Sequence, residues 1–438
     1  MTERTVACGF ALGLALLGSA RAESGKPIVI EHAKIISGNG PILEDGTLVI
    51  TGSVIEAVGP AAAVRVPPNA VVVDGRGTWV TAGFIDAQSR VGLNEVALEH
   101  TTVDTGLDGR YDAVRAAFSA ADGFNVHSVV VPVTRLEGIT SVVLAPEGGL
   151  VSGRGWAADL DERLGGDAVW AGPLAVYFEF GEAGKAAAYG ARGGALLRLR
   201  EVADDVRQYA QRRADYEKNQ MRHVGASRLD LEALIPVFAP GGSVKSMKAV
   251  VVVHRAADIL AVLELAKKER MDLVLSGCEE GWRVAAQIAA AKVPVILKPL
   301  SDLPSSFEEL GARFDNAALL AKAGVKIAIS PLLSEPHNSR TLRIEAGNAV
   351  ANGLPWEQAL AAVTRTPAEI FGLNQRVGTL EPAKAANVVV WSGDPFETAS
   401  RVKHLFIRGR EIPLVSRQTL LRDRYRDLSS ARPQSTAK

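Results

Sequence analysis

Short apolar runs broken by turn residues open the chain. They are Pro27–Ile30, Ala33–Ile36, Gly46–Ile50, Ser53–Val58 and Ala70–Val73, with Gly38-Asn39-Gly40, Glu44-Asp45-Gly46 and Pro67-Pro68-Asn69 between them. Runs of this length, rich in β-branched residues and bounded by Gly, Pro, Asn and Asp, predict a small sheet of hairpins. A second β-rich patch comes near the other end, at Asn387–Trp391 and Val402–Ile407, followed by Gly409 and Arg410.

Between these patches the period changes. Apolar strand-like runs occur at Phe84–Ala87, Ser141–Leu144, Ala168–Phe178, Ala249–Val253, Leu273–Leu275, Val293–Leu297 and Val325–Ile329. Helical patterns separate many of them: Ala256–Lys268, Gly281–Ala291, Asn316–Ala323, Thr341–Asn352 and Pro355–Thr364. Strand–helix alternation of this kind predicts an α/β fold with a parallel sheet closed as a (β/α)8 TIM-like barrel. Seven strands are countable, which leaves the eighth to the long segment before Ala249. The run Leu196–Gln220 carries Leu199, Val202, Val206, Tyr209 and Tyr216 at helical spacing and predicts a long amphipathic helix with a charged, solvated face. After Arg417 an Arg-rich stretch predicts a short surface helix, and Ser429–Lys438 a disordered tail.

The first residues differ in kind. Arg4 precedes an apolar run from Val6 to Leu17, and Ser19-Ala20-Arg21-Ala22 follows. This reads as a secretory leader cleaved after Ala22, too short for a permanent membrane span, which places the mature protein in the periplasm or outside the cell. Its removal takes Cys8 and leaves Cys278 as the sole thiol, so no intramolecular disulfide forms; Cys278 reads as a small core residue. A chain of 438 residues, 47% hydrophobic and 22% charged, buries a large core. Its formal net charge of zero gives no global field to draw nucleic acid.

Three segments resemble the amidohydrolase superfamily, in particular its secreted imidazolonepropionase-like branch. Asp74–Ala87 (DGRGTWVTAGFIDA) looks like that family's lead-in to the first barrel strand. Ala346–Gly372 is similar to its last barrel helix with the Ala-Leu-x-x-x-Thr-x-x-Pro-Ala signature. Val377–Pro395 looks like its Gly-x-Leu-x-Pro-Gly-Lys-x-Ala-Asp-Leu-Val-Val run. The resemblance implies a composite β-sandwich built from both chain ends beside the barrel. The expected organisation is a leader at 1–22, sandwich at 23–75, barrel at 76–372, sandwich again at 373–415 and a tail at 416–438. By resemblance the reaction is hydrolysis of C–N bonds in amides or cyclic amides other than ordinary peptide bonds, driven by a divalent metal such as zinc that activates water.

The residues depart from that pattern at the metal. Where the family carries His-x-His after Ile-Asp-Ala, this chain has Gln88 and Arg90. His254, in Val251-Val-Val-His-Arg-Ala-Ala-Asp, is similar to the family's mid-barrel histidine. Gly277 stands where the next strand's histidine belongs, Pro331 or Leu332 stands for the last strand's aspartate, and the bridging lysine or glutamate has no clear counterpart. An arginine about 4 Å from a cation adds roughly 4 kcal/mol of repulsion per unit charge at an effective dielectric of 20. No metal or other cofactor is therefore expected.

Each candidate residue has two readings. Arg90 either binds an anionic ligand group or forms a salt bridge at the barrel mouth with Glu279, Glu280 or Asp302. Gln88 either hydrogen-bonds a ligand or caps the pocket floor. His254 is either a core histidine left from an ancestral ligand or a working general base. His337, in the polar segment Ser334–Thr341 after the last strand, is either a ligand or base or a surface group, and Glu335 in the same segment is a further catalytic candidate. The glycine-rich Glu147–Trp156 lacks a P-loop's Lys-Ser/Thr ending and reads as a barrel loop. The resulting expectation is an exported amidohydrolase-like protein without its metal site, non-catalytic, binding a small molecule or pairing with a second copy or an active relative. The alternative is a C–N hydrolase working through His254, His337 or Glu335.

Overall fold

The computed structural model describes residues 25–106, 112–332 and 335–426. The expected leader and its cleavage point, and the expected disordered tail, lie outside them.

Five strands come first: β1 (Ile28–Ile36), β2 (Leu43–Thr51), β3 (Val54–Pro60), β4 (Val71–Asp74) and β5 (Trp79–Ala82). The two runs Pro27–Ile30 and Ala33–Ile36 merge into the single strand β1, irregular in register between Ile30 and Ala33. Eight barrel strands follow: β6 (Phe84–Ser89), β7 (Ile139–Leu144), β8 (Val151–Asp159), β9 (Val169–Glu179), β10 (Lys248–Val253), β11 (Asp272–Gly277), β12 (Val295–Leu297) and β13 (Ile327–Ile329). The chain finishes its sheets with β14 (Val388–Trp391), β15 (Val402–Ile407) and β16 (Arg410–Glu411).

The helices are α1 (Val130–Arg135), α2 (Glu182–Ala187), α3 (Arg192–Gln211), α4 (Arg213–Glu217), α5 (Arg228–Phe238), α6 (Ala256–Glu269), α7 (Ala285–Ala291), α8 (Asn316–Lys322), α9 (Leu342–Ala351), α10 (Trp356–Val363), α11 (Arg365–Ile370) and α12 (Arg417–Arg426). α3 buries Leu199, Val202, Val206 and Tyr209, the face its periodicity predicts, but ends at Gln211, and Tyr216 sits on the separate α4. No described helix is long and apolar enough to cross a membrane.

The first and last strands share one sheet, ordered β16-β15-β14-β5-β1-β2-β3 with β4 also on β1. β14 pairs antiparallel with β5 on one side and β15 on the other. The β2–β3 hairpin reaches back to the segment before β14 through Ile55 N–H to Lys384 O (2.9 Å) and Ala386 N–H to Ser53 O (2.9 Å). Ile30, Ile35, Leu48, Ile50, Val80, Val388, Val390 and Phe406 fill the apolar interior so formed. Both chain ends therefore build one β domain beside the barrel.

The other sheet runs β6 to β13 in sequence order. Its missing eighth member is β8, in the stretch read from sequence as a glycine-rich loop. β8 lies antiparallel to both neighbours, so the barrel is not wholly parallel. Gly155 explains the disguise: a Cβ there would come 2.8 Å from the Leu144 carbonyl oxygen, so the strand packs only without a side chain. The sheet nearly closes between β13 and β6, where the Ser330 hydroxyl lies 2.5 Å from Asp86 Oδ1 and 3.1 Å from the Gln88 carbonyl oxygen. Ile85, Val143, Tyr177, Val250, Val274, Ile296 and Ala328 pack together inside it, while the alternate residues pack outward against the helices.

Candidate functional site

In an α/β barrel the strand C-termini and their loops carry the chemistry. At that end β6 supplies Gln88 and Arg90, β9 ends in Glu179, His254 follows β10, Ser276 and Gly277 end β11, Lys298 follows β12 and Ser330 follows β13. Glu147 arrives from the β7–β8 turn, Glu279 from the turn after β11, and Glu308 with Glu309 from the long loop between β12 and α8.

The two departures on β6 are tied into the protein. The Gln88 amide oxygen accepts a hydrogen bond from the Ser276 hydroxyl (2.7 Å), which crosses from the first barrel strand to the sixth. Arg90 forms a salt bridge with Glu147, whose other oxygen accepts from the Thr105 hydroxyl at 2.6 Å. The ion-pair reading of Arg90 thus stands with a different partner: Glu279 and Glu280 are engaged elsewhere, and Asp302 forms no ion pair among the described residues. Glu280 accepts from the Ala256 N–H (3.0 Å) and lies 3.5 Å from Arg283, so it braces the start of α6.

His254 Nδ1 lies 2.5 Å from Glu279 Oε2, and its Nε2 3.9 Å from Glu308 Oε1. Burial alone would lower the His254 pKa; the hydrogen bond and charge of Glu279, with Glu308 and Glu309 beyond, outweigh it and raise it to about 9. His254 is consequently a cation at neutral pH. Glu308 is a clasp: its Oε2 accepts from the Glu182 N–H (2.8 Å) and from Arg192 Nη2 (3.0 Å), joining the β12–α8 loop to the first turns after β9. Glu179 has its carboxyl pushed up to about 7 by burial, with Arg90 and His254 pulling it down and Glu147 and Glu308 adding to the rise. It occupies the end of β9, one residue past the apolar run Ala168–Phe178 read from sequence, and sequence reasoning missed it.

Deeper in the barrel, Asp86 is fully buried and its carboxyl is raised by that burial, against hydrogen bonds from Ser330 and Ser89. His337 and Glu335 do not join this group. Their side chains are about two-fifths exposed, and His337 Nδ1 lies 3.9 Å from Glu335 Oε2. Cys278 is buried and forms no disulfide among the described residues, with its thiol pKa raised by burial.

The residues at the family's metal positions do not fit a metal. Gln88 and Arg90 are committed to Ser276 and Glu147, and the last strand is followed by Ser330, Pro331 and Leu332. Gly277 is informative in its own right. It has φ +87°, and a Cβ there would lie 2.8 Å from His254 Cε1 and Nδ1. His254 in this rotamer and any side chain at position 277 exclude each other. A different trio is assembled nearby: His254, Glu279 and Glu309 each offer a ligand atom, all within 4.8 Å of one another. A cation there would have to displace the proton that Glu279 helps His254 to hold.

A groove of about 860 Å³ lies away from all of this, between α6 and α7 and lined by Leu263, Lys267, Met271 and Ala290. Its polar lining groups, Glu264, Lys267, Arg270 and Gln287, come from the helices and lie away from the strand C-termini that carry the chemistry in this fold.

Comparison with known proteins agrees with the architecture. Residues 283–412 match the profile of the Amidohydrolase family. Amidohydrolase tasK of Hapsidospora irregularis is 32% identical over 85 residues, which is 19% of this chain and only 8% of that protein. The crystal structure of an amidohydrolase from Thermotoga maritima superposes with a TM-score of 0.78 at 27% identity, over 88% of this chain and 99% of that one. Molinate hydrolase (TM-score 0.53, 16% identity, 95% and 99% covered) and phenylurea hydrolase B (0.52, 16%, 94% and 100%) share the fold. With the barrel, the composite terminal sheet and these matches in place, the chain belongs to the amidohydrolase superfamily.

Proposed function

We propose that this protein is an exported, non-catalytic member of the superfamily, acting as a binding or partner subunit. The observation that carries the reading is the fate of the first-strand pair: Gln88 and Arg90 replace the metal-binding residues and are locked by Ser276 and Glu147. A fixed guanidinium beside the old metal position repels a divalent ion, and no water is then activated there. Support for export rests on the leader-like residues 1–22.

One observation favours a second reading, a hydrolase of C–N bonds. His254, Glu279 and Glu309 each offer a ligand atom within 4.8 Å of the others and can gather around a cation. Without such an ion, proton transfer by a histidine or carboxylate supplies about 10²–10⁴-fold, short of what amide hydrolysis requires.

The two are separated by purifying the protein from zinc- or manganese-supplemented medium, measuring bound metal by elemental analysis, and assaying dipeptides, hydantoins and lactams. The proposal expects neither stoichiometric metal nor turnover. Metal that resists dialysis and is lost in Glu309→Gln, together with turnover, would establish the hydrolase instead.

A further inference from the structure

Strand periodicity identifies which side chains face the inside of the barrel mouth. Tyr177, Val250, Val274, Ile296 and Ala328 all point inward. Glu179, His254, Ser276, Lys298 and Ser330 follow them by two or four residues and share that face. The Gln88–Ser276 hydrogen bond, spanning non-adjacent strands, adds Gln88 to this ring.

Most of the ring is satisfied within the protein. Ser276 donates to Gln88, Ser330 donates to Asp86, and His254 is paired with Glu279. Three groups are not. Among the described residues the Gln88 amide nitrogen, the Glu179 carboxyl and the Lys298 ammonium make no hydrogen bond or ion pair, and each belongs to a half-buried residue. Half-buried polar groups without a hydrogen bond are costly, and strand ends hold these three in place. Lys298 acts on one acid nearby, Glu345, whose carboxyl burial has pushed up to about 7.

We propose that this ring binds a small zwitterion of the amino-acid type, its carboxylate held by Lys298 and the Gln88 amide nitrogen and its ammonium by Glu179. The charge surroundings select against the simpler ligands. Glu147, Glu279 and Glu308 are already paired with Arg90, His254 and Arg192, so an anion alone leaves Glu179 uncompensated, while a cation alone leaves Lys298 uncompensated. The inference rests on reading the mouth as a metal-free binding site and names its ligand class.

The test titrates the full protein with glycine, 4-aminobutanoate and 6-aminohexanoate, and with acetate, hexanoate and hexylamine as single-charge controls, by calorimetry and thermal shift. At least one amino acid is expected to bind saturably while the matched controls do not. Lys298→Met and Glu179→Gln should each weaken it at least about tenfold, and Lys298→Arg should retain it. Circular dichroism checks folding, and Gln88→Leu provides a third, uncharged lesion. Absence of binding by every amino acid, equal binding by a control, or binding that survives both charge-removing variants would overturn the proposal. Stoichiometric metal or turnover of amides would instead remove the non-catalytic reading and leave the zwitterion result standing.

Discussion

His254 Nδ1 and Glu279 Oε2 sit 2.5 Å apart, joining the end of β10 to the turn after β11. The pair makes His254 a charged residue at neutral pH, with a pKa of about 9. Folding therefore raises its pKa above the unfolded value near 6.5. The stability it contributes is complete below that unfolded value and is lost as pH rises through about 9. A proton–nitrogen NMR titration should show the His254 ring still protonated at pH 7.5. In Glu279→Gln the midpoint should fall markedly, because burial then meets only the weaker opposition of Glu308 and Glu309. An unchanged midpoint would mean that Glu279 is not the cause.

Arg90 and Glu147 should be energetically coupled. Both side chains are partly exposed, so solvent screening limits the interaction. A double-mutant cycle with Arg90→Met and Glu147→Gln, followed by urea unfolding, should return about 1 kcal/mol. Additive single effects would show that the ion pair holds nothing in place.

Glu345 is buried against the β12–α8 loop, where its Oε2 accepts from the Leu300 N–H at 2.8 Å. Burial raises its pKa to about 7. A carboxyl raised on folding stabilises the protein below its unfolded pKa, and that stability drains away as pH climbs from about 4.5 through 7. Glu345→Gln keeps the acceptor and removes the charge. It should be more stable than the parent at pH 8 by on the order of 2 kcal/mol, with the gap closing at pH 5. A gap independent of pH would refute the assignment.

Gly138, just before β7, has φ +82°, and a Cβ there would overlap the indole of Trp391 on β14. Trp391 is fully buried and donates Nε1–H to the Thr81 hydroxyl at 3.0 Å. Gly138→Ala should cost about 2–4 kcal/mol, from backbone strain and overpacking together. The change is measurable as a lowered denaturation midpoint by tryptophan fluorescence. A neutral result would show that the barrel and the terminal sheet are loosely joined.

Elements with a clear period are legible in the sequence. The strands Ala249–Val253 and Asn387–Trp391 and the helix Ala256–Lys268 appear within a residue or two of their expected places. β8 was not legible, because Gly153 and Gly155 imitate a loop and burial on both faces erases alternation. At the site, Gln88, Arg90 and His254 could be named because a pattern predicted other residues, or the same one, at those positions. Glu147, Glu308 and Glu309 could not, since they come from loops whose path depends on contacts remote in sequence. Glu179 was hidden as the polar last residue of an apolar strand.

The position of β14 between β5 and β15 has a consequence in time. About 300 residues separate Ala82 from Val388. At a synthesis rate of about 5–20 residues per second, β5 waits roughly 15–60 s for its neighbour to be made. During that interval the opening strands expose the unpaired edge of β5, Trp79–Ala82, the kind of surface that sticks to other chains or is shielded by a chaperone. The molecule cannot be finished from its beginning; its closing segment is what seals it.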